Sequence, residues 1–303
     1  MNKSQQAKFN ALYQAHVDAL IRQGKAPATI DGYSRAVRRI SEFFDCLPTN
    51  LTEEQLKRYF TELIKTHSWS TVKIDRNGLQ FFYTHVLKKA WRWIDIVKPP
   101  QKKVLPDILS RQHIEALINQ TREIRYQTFI LTSYSMGLRL GETLNLQVGD
   151  IDSERMKVHI RAGKGQKDRL VTLPERTLRA LRRYWCTHKN PNLIFPNGKA
   201  PEQQRQTTQP MDRGGLQKSF KAIVTSAKIK KRITIHSLRH CYGAHLTESG
   251  VPLRAIQHEM GHECPKTTAI YTQLTETTEK NSTVAINALI DGLKLQLESE
   301  SRS

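Results

Sequence analysis

At 303 residues the chain is long enough for two domains of ordinary size, and an apolar content of 38% can fill real cores, which excludes wholesale disorder. Against 28 Asp and Glu stand 48 Lys and Arg, a formal charge of +20 that points to a polyanionic partner, nucleic acid first. The excess is spread: residues 1–98 carry sixteen Lys/Arg against nine Asp/Glu, and residues 217–254 carry eight against one, so a basic tail on a neutral body is excluded.

In chain order, the first hundred residues predict helices over 4–23, 28–45, 52–66 and 70–90. Thr52 and Gln55 have the spacing of a capping box. Leu56, Tyr59, Phe60 and Leu63, then Leu79, Phe82 and Val86, recur at helical spacing and predict a small helical core. The polar faces hold Arg35, Arg38, Arg39, Lys73 and Arg76, which can meet phosphates or stay solvated. Lys98-Pro99-Pro100-Gln101-Lys102-Lys103 has the composition of a linker, since two prolines block helix and lysines keep the segment wet.

Ser110 then suits the N-cap of a helix over 111–120, followed by helices near 125–136 and 140–147. Met156–Ala162 and Arg169–Leu173 read as the strands of a hairpin with a basic tip, Gly163-Lys164-Gly165-Gln166-Lys167-Asp168. Residues 197–214 read as a loop or insertion. Helices are expected again at 214–227, 236–249, 252–260, 266–273 and 282–297, the last with Ile286, Leu289, Ile290, Leu293 and Leu297 on one face. The expected fold is mainly α with a small β-sheet: a helical domain over 1–98, a linker over 99–109, a mixed α+β domain over 110–281, and a C-terminal helix and tail over 282–303.

Single residues carry little here, and the set carries much. His236 and Arg239 are three apart and share a helix face, an arrangement that also occurs as a plain surface pair. Arg139 follows Gly137, which can end the preceding helix in the left-handed conformation, and it can equally be a structural partner of Glu142. Lys164 sits between two glycines without the spacing of a P-loop, so it is either a solvated charge or a donor reaching into a groove. Tyr271, nine residues after His262, can be a half-buried aromatic or a nucleophile.

Together, Gly137-Leu138-Arg139-Leu140-Gly141-Glu142, the hairpin Lys164, His236-Ser237-Leu238-Arg239-His240, Gly261-His262 and Tyr271 resemble the tyrosine recombinase (phage integrase) family in order and spacing, over most of the chain. The helical N-terminal segment is similar to that family's core-binding, SAM-like domain. The resemblance implies that Tyr271 attacks a DNA phosphorus and forms a 3′-phosphotyrosyl link. Arg139 and Arg239 would clamp the non-bridging oxygens, and His262 would donate to the same phosphate. His236 would assist proton transfer from Tyr271, Lys164 would protonate the leaving 5′ oxygen, and Glu142 would orient Arg139 or His236. The protein–DNA ester conserves bond energy, so neither ATP nor a metal cofactor is expected. The implied partners are double-stranded DNA recombination sites and further copies of the chain, a tetramer on paired sites and a monomer without DNA. Lys218 and Lys221 are expected to join the DNA contacts. A mobile-element or integron-like integrase is the leading subtype, with a Xer-like chromosome-dimer-resolving recombinase as the alternative. One local departure is Glu259-Met260, where the family usually has aliphatic residues.

A rival reading exists, because His258-Glu259-Met260-Gly261-His262 is formally HExxH, the motif of zinc hydrolases. It requires one continuous helix so that both histidines reach one metal, and Gly261 and Pro265 oppose that. The four cysteines, Cys46, Cys186, Cys241 and Cys264, lack CxxC spacing and suit a reducing compartment. The first twenty residues lack an apolar signal-peptide core and no apolar run approaches the roughly 20 residues of a membrane helix, so a cytoplasmic protein is expected.

Overall fold

A computed structural model describes residues 1–91, 106–161 and 168–273. The chain divides into two compact units, Met1–Lys102 and Lys103–Ser303.

In the first unit, α1 (Lys3–Arg22) opens on a capping box between Asn2 and Gln5. Proline at its first position pre-sets α2 (Pro27–Phe44), which ends where Asp45 turns left-handed. The expected Thr52–Gln55 box opens α3 (Glu53–Thr66), and a Ser68 cap opens α4 (Trp69–Phe81). The helix expected over 70–90 is shorter: it loosens into a π-turn over Phe82–Val86 and stops before Lys88, which takes a positive φ of 55°. Close packing of α2 on α4 depends on Gly78, where an added Cβ would lie 2.9 Å from the Tyr33 backbone. Ile40, Tyr59, Phe60, Leu79 and Phe82 fill the core. Within it Asp75, 1% exposed, accepts from the Tyr59 hydroxyl and from Arg39, each at 2.6 Å.

The second unit begins with α5 (Arg111–Asn119), capped by Ser110, and α6 (Ile124–Ser135). After Gly137 comes the short α7 (Leu140–Leu144). Three antiparallel strands follow, β1 (Ile151–Asp152), β2 (Lys157–Ile160) and β3 (Arg169–Thr172), in that spatial order with Val158 opposite Val171. Both valines are fully buried, so one face of the hairpin closes the core.

Next stands α8 (Glu175–His188), a helix absent from the expected elements although Leu178, Leu181 and Tyr184 mark its buried face. The segment expected as loop, 197–214, contains α9 (Pro201–Gln206). Its organiser is polar: buried Asn190 donates to the carbonyls of Gln204 and Thr207 and accepts from the amides of Asn192 and Leu193. A backbone held by one amide side chain leaves no apolar periodicity to read. Then come α10 (Arg213–Ser226), α11 (Ile235–Glu248), α12 (Leu253–Met260) and α13 (Pro265–Ala269), with a 3₁₀ turn over Ile270–Gln273. Helix α11 is the spine of the site: it packs on α6, on α12 and on that 3₁₀ turn.

Candidate active site

The site forms where α7, β3, α11 and the end of α12 meet. Gly137 makes the first turn possible: its φ is +58°, and a Cβ there would strike the Tyr242 ring at 2.4 Å. This aims Arg139 back toward Glu142, whose carboxylate accepts from the Arg139 amide at 2.9 Å and from its guanidinium at 2.7 Å. The other Glu142 face takes a two-pronged contact from Arg169, at 2.9 and 2.8 Å. Arg239, 1% exposed, lies 4.0 Å from the same carboxylate. Burial pushes the Glu142 pKa up, but Arg169 and then Arg139 outweigh it and hold it at about 2.

A helix leaves its last carbonyls without partners inside the helix, and its C-terminus carries partial negative charge. At the end of α12 three successive carbonyls each accept from a different arginine. Glu259 takes Arg169 Nε at 3.3 Å, Met260 takes Arg239, and Gly261 takes Arg139 at 3.0 Å. Arg239 also donates to the Gly137 carbonyl at 2.6 Å, tying the two glycine turns together. Three guanidiniums against one carboxylate leave the cluster with excess fixed positive charge. Burial, and then Arg139, lower the Arg239 pKa to about 10, which still leaves it protonated at neutral pH.

Tyr271 is fully buried on the 3₁₀ turn, its ring against Gly243, where a Cβ would come within 2.4 Å. Its hydroxyl lies 3.2 Å from His240 Nδ1, and its ring stacks on His262 with centroids 6.4 Å apart. Burial raises the phenol to about 12, with Arg239 pulling the other way. Burial also lowers His240 to about 4, aided by His236 and Arg239, and lowers His262 to about 3, aided by Arg239 and Arg139. His236 is exposed as a residue, but its imidazole is shifted down by partial burial and by the same two arginines. It meets His240 edge-on at 4.7 Å. Near neutral pH this histidine cluster is therefore uncharged, and the cationic groups are arginines.

The structure thus brings Arg139, Glu142, His236, Arg239, His262 and Tyr271 together. Lys164 and the expected helix over 282–297 lie outside the described residues. Sequence reasoning missed Arg169, which looked like the first residue of a strand, and His240, adjacent to Arg239 in a run already singled out. It also missed Thr268, whose hydroxyl lies 2.8 Å from His262 Nδ1. Glu142, expected to orient Arg139 or His236, binds Arg139 and, in addition, Arg169.

A groove of about 1430 Å³ opens from Arg139 and His236, rimmed by Arg161, Arg213, Gln217 and Lys221. Lys221 therefore faces the groove, while Lys218 is exposed outside its lining. In the first unit Arg38 and Lys73 are exposed, Arg76 is half-buried, and Arg35 pairs with Asp31 at 2.8 Å. Arg39 departs from the expectation: its guanidinium is committed to buried Asp75 and anchors α2 on α4.

The sequence profile of the phage integrase family matches residues 107–278, and that of the phage integrase N-terminal SAM-like domain matches residues 12–93. The chain belongs to the phage integrase family, the tyrosine recombinases. Among its relatives, this recombinase is 31% identical to the candidate integrase/recombinase y4qK of Sinorhizobium fredii, over 80% of the chain and 77% of the relative. It is 30% identical to the tyrosine recombinase XerA of Thermococcus onnurineus, over 87% and 89%. A lambda integrase tetramer bound to a Holliday junction shares its fold, with a TM-score of 0.68 at 14% identity over 86% of this chain and 76% of that one. Membership makes the protein a DNA strand-transferring enzyme, and the arginine cluster is suited to that work.

The HExxH reading fails on helix geometry. Helix α12 ends at Met260, Gly261 turns left-handed at φ +60°, and His262 lies beyond the break, bonded to Thr268. The motif's glutamate is also engaged: Glu259 accepts from the amide and the hydroxyl of Thr172, both at 2.9 Å. Among the described residues no helix is long and apolar enough to cross a membrane.

Proposed function

We propose that this recombinase cuts and rejoins DNA at a specific site with Tyr271 as the nucleophile and Arg139 and Arg239 as the phosphate clamp. The observation that carries the reading is the convergence of three arginines on the end of α12, beside the one buried tyrosine on the adjoining turn. Attack on a phosphodiester adds negative charge at the non-bridging oxygens, and a preorganised excess of guanidinium charge lowers the energy of that state. Tyr271 oxygen bonds to phosphorus as the bond to the 5′ oxygen breaks. The phenolic proton leaves through the histidine cluster, and the leaving oxygen takes a proton from Lys164. Rejoining is the same path reversed, with the 5′ hydroxyl as nucleophile and the tyrosine as leaving group.

The DNA contacts belong to the groove beside Arg139, with Lys221 among them, and to cations of the first unit, the exposed Arg35, Arg38 and Lys73 and the half-buried Arg76. By analogy with the lambda integrase tetramer, four copies assemble on paired sites. The reaction takes place in the cytoplasm, needs no bound cofactor, and serves a mobile element. Similarity to XerA favours a second reading, resolution of chromosome dimers.

The test of the chemistry is Tyr271→Phe, which removes one oxygen and leaves the groove intact. On a nicked suicide substrate the wild type should form a covalent adduct that survives denaturing gels. The variant should form none while binding DNA normally, and adduct formation by the variant would overturn the assignment. Sequencing the DNA beside trapped protein separates a mobile-element end from a chromosomal resolution site.

A further inference from the structure

We propose that Thr268 is a positioning residue that fixes the ring proton of His262 on Nε2, so that the imidazole presents a donor to the scissile phosphate. The inference rests on the reading of His262 as a phosphate ligand.

Thr268 has no exposed surface, and its Oγ1 lies 2.8 Å from His262 Nδ1. A buried hydroxyl has one hydrogen to place and is destabilising when that hydrogen lacks an acceptor. The usual acceptor for a threonine in a helix is a carbonyl one turn back, as Thr272 uses with Ala269. The Thr268 hydroxyl makes no such bond, and among the described residues its one hydrogen-bond partner is His262 Nδ1. The hydroxyl therefore donates and Nδ1 accepts. A ring nitrogen that accepts carries no hydrogen, which leaves the single proton of a neutral imidazole on Nε2.

The opposite arrangement would put the proton on Nδ1, strand the hydroxyl hydrogen, and leave a lone pair on Nε2. A phosphate oxygen only accepts, so that tautomer repels the group it should hold. The ring has little freedom to compensate. Tyr271 stacks on one face, and Gln257 holds the His262 carbonyl at 2.9 Å. Thr268 is three residues before Tyr271, so one short stretch of chain carries the nucleophile and sets the donor state of the ligand beside it.

The test uses the full chain with ¹⁵N-labelled histidine, in which protonated and unprotonated ring nitrogens resonate in separate ranges. Wild type and Thr268→Ser should show His262 protonated at Nε2. The near-isosteric Thr268→Val should lose that signature. Cleavage of a suicide substrate by Thr268→Val should fall about 10–100-fold, as for other residues that orient a ligand through its second ring nitrogen, with DNA affinity unchanged and most of the rate restored by serine. In a His262→Ala background, Thr268→Val should cost nothing further. A wild-type proton on Nδ1, an unaltered tautomer in Thr268→Val, or an equal loss of rate in the His262→Ala background would each overturn the proposal. Cleavage by His262→Ala at the wild-type rate would overturn the reading of His262 beneath it. The ring-nitrogen spectrum, which needs no reaction, tells that failure apart from a wrong tautomer.

Discussion

Replacing Glu142 with glutamine removes one negative charge and leaves the shape of the side chain nearly intact. The carboxylate is 7% exposed and contacts two guanidiniums within 2.9 Å, with a third at 4.0 Å. Its pKa falls from 4.5 to about 2 despite burial, a measure of how strongly the arginines favour the ionised form. At 1.36 kcal/mol per unit, that preference is worth about 3 kcal/mol. The sign follows from linkage: the folded pKa lies below the unfolded one, so this stability is present above about pH 4.5 and is lost as pH falls toward 2. Glu142→Gln should therefore lower the melting temperature of the second unit at pH 7 by about 6–12 °C, taking 2–4 °C per kcal/mol for a unit of this size. The variant should also lose most of the acid sensitivity of the wild type between pH 4.5 and 2. Cleavage should fall by about 10²-fold, because glutamine keeps one acceptor oxygen and this side chain can no longer accept from both the Arg139 amide and its guanidinium. Thermal melts across pH and covalent-adduct assays measure the two effects. A variant that melts within about 2 °C of wild type would refute the electrostatic account, since three unbalanced guanidiniums cannot then be held by Glu142.

Arg139→Lys keeps the charge and loses the fork that spans Glu142 and the Gly261 carbonyl; cleavage should drop about 10²–10³-fold, and a near-normal rate would mean a purely structural arginine. Lys164→Ala should be slow on an ordinary substrate and recover on a 5′-bridging phosphorothiolate, whose thiolate leaves without a proton; equal defects on both substrates would reject the general-acid role. Gly261→Ala places a Cβ 2.8 Å from Arg169 at φ +60° and should cost about 1–2 kcal/mol in backbone strain plus a measurable loss of cleavage. Gly250→Ala is the control, since φ is +78° there with nothing within 4 Å; it should lower stability similarly and leave the cleavage rate alone.

Where one residue type answers one local demand, the sequence was readable. Thr52 and Gln55, Ser110, Gly137 and the alternation around Val158 all specify their backbone within a few neighbours, and the structure has caps, a turn and a strand there. Helix α8 is equally local, with Leu178, Leu181 and Tyr184 at helical spacing on its buried face. The region of α9 was not legible, because a buried amide at Asn190 organises it across a dozen residues or more. At the site, spacing picked out most of the side chains that converge, yet it could not show what they converge on. Arg169 pairs with Glu142 across twenty-seven positions and with the Glu259 carbonyl across ninety. No local pattern distinguishes it from the solvated Arg176 or Arg179 a few residues on.

The departure from the family pattern, Glu259-Met260 before Gly261-His262, acquires a physical meaning from this geometry. The groups that bind the arginines at the end of α12 are backbone carbonyls, which every residue type supplies. What the site requires of this segment is that the helix stop there with its last carbonyls unshared, and Gly261 arranges that through its left-handed turn. Side-chain identity at 259 and 260 is then free to serve packing. Met260 is fully buried beside Ile256 and Tyr271, and the Glu259 carboxylate reaches outward to Thr172 on β3. That second contact fastens the helix end to the strand that starts with Arg169, so the substitution reinforces the cluster from outside while the carbonyls hold it from within.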